Sequence, residues 1–270
     1  MLRSVALDDL RVLAVSGADR VSFFQGQLTQ DVASARADGR LLFAGHLFST
    51  RVATEDALAL LVPVELADTL LKRLRMYLLR ARAQAMLLDL SIVGLMGTPA
   101  PAVAGQLLQI LGEHERHLLL LPAAEAAHDK PDASPRSDWL LADIRAGIPT
   151  IVSATTGAFV AQMVNLDLLD GISFTKGCYT GQEIVARMKY LGRVKRRMLR
   201  FGGATSAPAP GSVLYAERGV VGQVVSTAPS AADWELLAVV VLDDLPGPFF
   251  LDEARTQAIR RLGLPYDVPL

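Results

Sequence analysis

Cysteine is nearly absent from this sequence. The 270 residues include one, Cys178, and a single thiol can form neither an internal disulfide bond nor a four-thiolate metal site. One thiolate also cannot hold an iron–sulfur cluster within this chain alone. We therefore expect a reducing compartment, the cytoplasm, and Cys178 becomes a candidate reactive group.

Charge of one sign and long apolar runs are missing as well. The 27 basic and 28 acidic residues give a formal net charge of -1, so any affinity for an anionic partner must come from a local patch. The uncharged stretch 90–112 contains Pro99 and Pro101, which disfavour a membrane span. Asp8 and Asp9 interrupt the segment where a signal peptide needs an apolar core, so we expect no export.

Motifs for several common chemistries are also missing. The sequence contains no Walker-type phosphate loop and no Gly-x-Ser-x-Gly elbow. Its four histidines, two of which are His114 and His117, show no metal-ligand spacing with the lone cysteine. We therefore expect no metal site.

Apolar residues are abundant and patterned. They make up 51% of the chain, and the length corresponds to roughly two domains at about 150 residues each. Short apolar runs that are typical of strands alternate with segments of helical pattern, a mixed order of α and β that fits an α+β fold. The pattern predicts helices at residues 20–28, 64–79 and 103–111, and strands at residues 10–15, 41–43, 57–62, 86–93 and 117–121.

The carboxyl-terminal part has a different pattern. The run Ala204–Gly211 is rich in alanine and proline and is typical of a linker. Short β-rich runs follow at residues 213–215, 220–226 and 236–242, which favours a small β-barrel or sandwich. We therefore expect a body of mixed α/β modules at residues 1–203 and a small barrel at residues 204–270.

The segment from Gly171 to Arg187 carries the most chemical information. Thr180 and Glu183 have the spacing of a capping box for a helix over residues 181–189. Cys178 would precede that helix, where free N–H groups, the positive dipole end and Lys176 stabilise a thiolate. The alternative is a buried, inert cysteine beside a capped helix.

The run Lys176-Gly-Cys-Tyr-Thr-Gly-Gln-Glu183 resembles the signature of the YgfZ-type folate-binding proteins, relatives of the aminomethyltransferase (T-protein) of glycine cleavage. Three further runs extend the resemblance over most of the chain: residues 24–31, the Ala-Gly-Ile-Pro of residues 146–149, and Phe159 with Gln162 and Asn165-Leu-Asp167. The resemblance implies a folate-binding body around a central channel, followed by the small barrel.

The sequence departs from the T-protein pattern at two positions that concern activity and pteridine binding. T-proteins use an acidic residue after a Gly-Gly turn, whereas residues 39–44 here, Gly-Arg-Leu-Leu-Phe-Ala, contain no carboxylate. We therefore do not expect glycine cleavage activity. T-proteins also present a glutamate to the pteridine just before Ala-Gly, where this chain has Arg145.

The resemblance also suggests ligand contacts. Trp139 would lie near the folate channel, where an indole can stack on a pteridine; the alternative is a core tryptophan on a strand. Gln182 and Glu183 would order the loop, and Arg187 would meet an anionic ligand or partner. Arg187 opens a basic run of seven cations over residues 187–200. This run suits a folate glutamate tail, RNA or an acidic protein, or it is a solvated strand edge. Aromatics are too sparse beside it for a stacking platform, so direct nucleic-acid binding is not expected.

Three functional readings follow from the resemblance. In the leading one, the chain binds tetrahydrofolate or a related reduced folate and supports assembly or repair of iron–sulfur proteins, including enzymes that thiolate tRNA. In the second, it is a folate-dependent one-carbon transferase or demethylase with Cys178 as nucleophile or proton donor. In the third, it is a folate-binding regulator whose thiol is structural.

Overall fold

The computed structural model describes residues 2–29, 40–42, 45–99, 105–110, 115–125, 133–179, 182–190, 194–231 and 233–269. These residues divide into two compact units, each built from two stretches of chain. Unit 1 comprises residues 1–136 and 170–182, and unit 2 comprises residues 137–169 and 183–270. No helix among the described residues is long and apolar enough to cross a membrane.

Unit 1 contains two antiparallel sheets. The first has the strand order β1-β7-β9-β8 and the second has the order β3-β4-β5-β2-β6. Their bounds are β1 Arg3–Ala6, β2 Leu10–Ser16, β3 Arg40–Leu42, β4 Gly45–Val52, β5 Glu55–Pro63, β6 Gln84–Leu88, β7 Leu90–Met96, β8 Gln106–Ile110 and β9 Arg116–Pro122.

Two helices pack on the second sheet of unit 1: α1, Arg20–Gln27, and α2, Val64–Tyr77. The core buries both phenylalanines of α1 together with Leu13 and Leu47. The leucines of α2 at every fourth position, predicted as its apolar face, are half-buried, and three of them pack against this core. Burial of this face, rather than propensity alone, stabilises α2.

Unit 2 contains a closed six-stranded barrel in the order β10-β13-β12-β11-β14-β15. Its interior is apolar and includes Phe201, packed edge-to-face on Phe249 at 5.2 Å between ring centroids. Unit 2 also contains all but the first residue of α3, Arg136–Ala146, and of α4, Gln182–Tyr190. The strands are β10 Arg196–Gly203, β11 Val213–Ala216, β12 Gly219–Ser230, β13 Asp233–Val241, β14 Phe249–Phe250 and β15 Ala258–Leu262.

The predicted α+β class and the small barrel are confirmed. The run Ala204–Gly211 connects β10 to β11 and therefore lies within the barrel. Because β10 precedes the boundary expected at residue 204, the barrel begins at Arg196.

One predicted element is wrong. Residues 103–111 were expected to form a helix, but the described part of this range forms β8. Leu108 and Ile110 are buried, whereas Leu107 and Gln109 are exposed, so the apolar pattern has period two. The single strand expected over residues 86–93 is two strands, β6 and β7.

Candidate functional site

The loop of residues 171–179 is tied to the chain that follows α1. Thr29 Oγ1 donates a hydrogen bond of 2.7 Å to the carbonyl of Gly171. The amide of Ser173 in turn donates to the carbonyl of Thr29 at 3.0 Å. Two reciprocal bonds over more than 140 residues of sequence fix the start of this loop within unit 1.

Lys176 anchors the middle of the same loop. Its side chain is buried, and Nζ donates to the carbonyls of Gln25, at 2.7 Å, and of Leu28. These carbonyls lie at the carboxyl end of α1, where cations are favourable because the last carbonyls lack helical partners. The ammonium also lies 4.6 Å from the centroid of the Tyr179 ring, an arrangement that favours a cation. The effect of Lys176 on the Cys178 thiolate stays a prediction.

Cys178 lies between these buried neighbours and is itself exposed as a free thiol. Tyr179 is buried, and burial raises the pKa of its phenol above the ordinary value. At the preceding Gly177, an added Cβ would meet no atom within 4 Å. The alternative of a buried cysteine is therefore wrong, and the reactivity of the exposed thiol stays a prediction.

Replacing Lys176 with methionine should loosen this loop. The half-buried carbonyls of Gln25 and Leu28 would lose this donor, at a cost of about 1 kcal/mol each. We expect faster hydrogen exchange at the amide of Ser173, measured by mass spectrometry or NMR. Lys72→Met is the matched control in unit 1, because Lys72 is exposed and has no bonding partner among the described residues. Equal exchange in both variants would mean that Lys176 does not anchor the loop.

Helix α4 follows the loop close to the predicted bounds. Its first residue, Gln182, is half-buried, and its backbone N–H donates to the carbonyl of Tyr179 at 3.1 Å. Glu183 is exposed in the first turn and Arg187 is exposed in the last. Thr180, the predicted capping residue, lies outside the described residues. The roles of Gln182, Glu183 and Arg187 in ligand binding stay predictions.

Trp139 lies on α3 and is only 3% exposed. The ring is therefore packed in unit 2 like a core residue, on a helix rather than on the strand that the alternative reading assumed. A flat ligand could not stack on its face in this conformation. Its contact with folate stays a prediction.

Arg145 belongs to an ion-pair cluster that sequence analysis missed. Its guanidinium donates to Glu235 Oε1 at 2.7 Å, and Arg200 donates to Glu235 Oε2 at 2.9 Å. Burial raises the pKa of Glu235, but the hydrogen bonds from Arg145 and Arg200 outweigh it and hold the pKa below its usual range. The arginine at the position of the T-protein glutamate is thus bound to a carboxylate 90 residues away in sequence.

The residues of the Gln162–Asp167 segment form a second polar cluster. Asp167 accepts two hydrogen bonds from Arg197, at 2.6 and 2.9 Å, and Arg197 also donates to the carbonyl of Gln162 at 2.8 Å. Gln162 Nε2 donates to the carbonyl of Val185 in α4 at 2.6 Å. Asn165 donates to the carbonyl of Met198 at 2.8 Å. These motif residues therefore hold unit 2 together.

The two ion-pair clusters engage two of the seven cations of the basic run at residues 187–200. Arg197 and Arg200 are committed to the carboxylates of Asp167 and Glu235. Four of the other cations are exposed: Arg187, Lys189, Lys195 and Arg196. Arg193 lies outside the described residues. Among the described residues, no cluster of three or more histidine, cysteine or acidic side chains could hold a metal ion.

The arrangement of the two sheets, helices and closed barrel has a known counterpart. The fold matches the crystal structure of the glycine cleavage system aminomethyltransferase T from Bartonella henselae, with a TM-score of 0.64, 15% sequence identity, and coverage of 97% of this chain and 84% of that chain. This is the aminomethyltransferase fold. No family model matches the sequence.

Relatives with curated names narrow the assignment from a fold to a family. The tRNA-modifying proteins YgfZ of Yersinia pseudotuberculosis and Yersinia enterocolitica are each 32% identical to this chain, over alignments that cover 79% of this chain and 75% of the relative. At this identity and coverage the chain belongs to the YgfZ family. The family that residues 176–183 suggested is thereby confirmed.

Proposed function

We propose that this chain is a cytoplasmic, tetrahydrofolate-binding accessory factor in tRNA modification, acting through assembly or repair of iron–sulfur enzymes that thiolate tRNA. Its membership of a family whose curated members are named tRNA-modifying proteins carries the proposal. The exposed thiol of Cys178 on an anchored loop supports a chemical role for the family signature. Folate binding rests on the resemblance of that signature to YgfZ-type folate-binding proteins.

The residues fit part of a folate. Arg187 is exposed and has no ion-pair partner among the residues that the structure describes, so its guanidinium is available to the glutamate carboxylates of a reduced folate. The pteridine is a poorer fit, because Trp139 is enclosed and Arg145 is bound to Glu235. The proposed folate contact that this geometry supports is therefore Arg187, for the anionic tail, whereas a contact of Trp139 with the ring would require the indole to leave its buried position.

The binding test is an anaerobic titration with tetrahydrofolate, followed by tryptophan fluorescence. We expect quenching at micromolar ligand that survives in Cys178→Ala. In Arg187→Gln the affinity should fall about 10–100-fold, as for loss of a hydrogen bond to a charged group. Arg196→Gln, another exposed arginine, is the control. Absence of binding at millimolar ligand would refute the folate proposal.

The functional test replaces the family protein of a bacterial host with variants of this chain. Cys178→Ala should lower the thiolated tRNA nucleosides, measured by mass spectrometry, to the level of the empty vector. The control Thr175→Ala, at an exposed position of the same loop, should retain them. Normal thiolation in the empty-vector strain or in Cys178→Ala would refute the role of the thiol.

A second candidate function is a folate-dependent one-carbon transferase or demethylase. The accessible thiol of Cys178 favours it, because a nucleophile or proton donor must reach its substrate. Turnover of a methylated or aminomethylated donor with tetrahydrofolate as acceptor would identify this activity, and Cys178→Ala should abolish it.

A further inference from the structure

Helix α2 ends in a surface that neither its own packing nor the proposed site uses. Three large apolar side chains are exposed within four residues: Met76 by 69%, Tyr77 by 47% and Leu79 by 88%. Three exposed cations flank them in the sequence, Lys72, Arg73 and Arg80. We call these six residues the α2 surface.

The charge around this surface is one-sided. Residues 69–88 contain five cations and no acidic residue, in a chain whose formal net charge is -1. Arg75 and Arg82 have structural roles, since Arg75 donates to the carbonyl of Ala85 and Arg82 pairs with Asp19 at 3.1 Å. The cations of the α2 surface have no hydrogen-bond or ion-pair partner among the described residues. They are available to a partner.

The apolar side chains are not required for the fold of α2. The face that packs on the core of unit 1 consists of other residues, with Ala67 and Leu71 buried and Leu70, Leu74 and Leu78 packed against the same cluster. Exposed apolar groups that lie close together in the sequence and are flanked by cations are typical of a protein interaction site, in which methionine, tyrosine and arginine are enriched.

A cleft continues the α2 surface along the chain. Residues 81–84, directly after Arg80, line a cleft of about 560 Å³ in unit 1 together with Ser16, Gly17 and residues 52–55. Arg82, in this lining, is held in place by Asp19, whose carboxylate also accepts the amide of Arg82 at 2.8 Å. A preformed cleft beside an apolar patch can receive an anchoring side chain from a partner.

We propose that the α2 surface docks an acidic protein partner whose carboxylates face Lys72, Arg73 and Arg80 and whose apolar pocket receives Met76 and Leu79. This inference rests on the proposed function, because an accessory factor must contact the enzymes that it supports. A protein fits better than RNA, since Tyr77 is the one aromatic residue of the surface and two aliphatic side chains dominate it.

Site-specific photocrosslinking tests the surface directly. Benzoylphenylalanine is incorporated in place of Leu79 in the full chain, expressed in the host that lacks its own family protein. We expect a protein adduct whose crosslinked partner peptide is rich in aspartate and glutamate. Arg73→Glu with Arg80→Glu should lower the yield about tenfold or more, because like charges would then oppose each other. The same photoreactive residue in place of Val220, 60% exposed on the barrel, should give no such adduct.

Each other outcome overturns the proposal: no adduct, an adduct destroyed by nuclease, an adduct with lipid, or a protein adduct that charge reversal leaves unchanged. A measurement of function accompanies the crosslinking experiment. Leu79→Glu should lower thiolated tRNA nucleosides to the level of Cys178→Ala while tetrahydrofolate binding is retained, and Val220→Glu should not. If Cys178→Ala and the empty vector both leave thiolation intact, the proposed function fails, and the crosslink alone decides the α2 surface.

Discussion

Replacing Arg197 with methionine should lower the free energy of unfolding of unit 2 by about 3–5 kcal/mol, because the carboxylate of Asp167 would remain nearly buried without its partner. The side chains of Arg197 and Asp167 are 5% and 12% exposed, and the two terminal nitrogens of the guanidinium each donate to the carboxylate. Both tryptophans of the chain, Trp139 and Trp234, lie buried in unit 2. Urea unfolding followed by tryptophan fluorescence therefore reports on this unit.

One control variant and one double variant test this expected loss of stability. Arg196→Gln removes an exposed arginine of the same strand that has no ion-pair partner among the described residues, so it should cost no more than about 1 kcal/mol. The double variant Arg197→Met with Asp167→Leu removes both charges and should recover much of the loss. If Arg197→Met and Arg196→Gln cost the same, the buried pair does not stabilise unit 2.

Replacing Gly147 with alanine should be the second large perturbation. Gly147 has φ +69, and an added Cβ would lie 2.5 Å from Tyr266 Oη and 2.6 Å from Cε1 of the same ring. The phenol donates to the carbonyl of Gly147 at 2.9 Å and accepts from Asn165 at 3.3 Å. Burial raises the pKa of Tyr266 to about 12, partly offset by the hydrogen bond from Asn165, so the phenol stays a donor.

The expected loss of unfolding free energy in Gly147→Ala has two parts that can be measured separately. Backbone strain at positive φ contributes about 1–2 kcal/mol, and displacement of the ring removes two hydrogen bonds worth about 1 kcal/mol each. Gly157→Ala is the matched control, since Gly157 has φ +72 and an added Cβ there meets nothing within 4 Å. In a Tyr266→Ala background, Gly147→Ala should cost only as much as Gly157→Ala, measured by the same urea unfolding. Equal costs of the two glycine variants in the wild-type background would contradict the proposed contact.

Local pattern was enough for much of the fold. The short, continuous apolar runs of β2, β5 and β9 have the length of buried strands, and the four-residue leucine repeat of α2 carries the period of one helix face. The range 103–111 was misassigned because a short apolar run satisfies both periods, and pairing with β9 decides in favour of a strand. Such a choice depends on a partner strand, which residues 103–111 do not encode.

The candidate site could likewise be predicted only where its pattern is local in the sequence. The sequence identified Cys178 and the helix after it, because the family signature and the capping pattern are local. It could not show that Lys176 would bind the carbonyls of α1, because those residues lie about 150 positions earlier. The partners of Arg145 and Arg197 were missed for the same reason, since a salt bridge between distant residues leaves no periodic trace.

The closed barrel has a consequence for how this chain can associate. Among the strands that the structure describes, the two sheets of unit 1 end in β1 and β8 and in β3 and β6, whereas the barrel has no terminal strand. An edge strand offers unpaired backbone groups to a foreign strand, and a closed barrel removes that opportunity. Strand addition, whether by a partner peptide or during aggregation, is therefore directed to unit 1 and away from the carboxyl-terminal barrel.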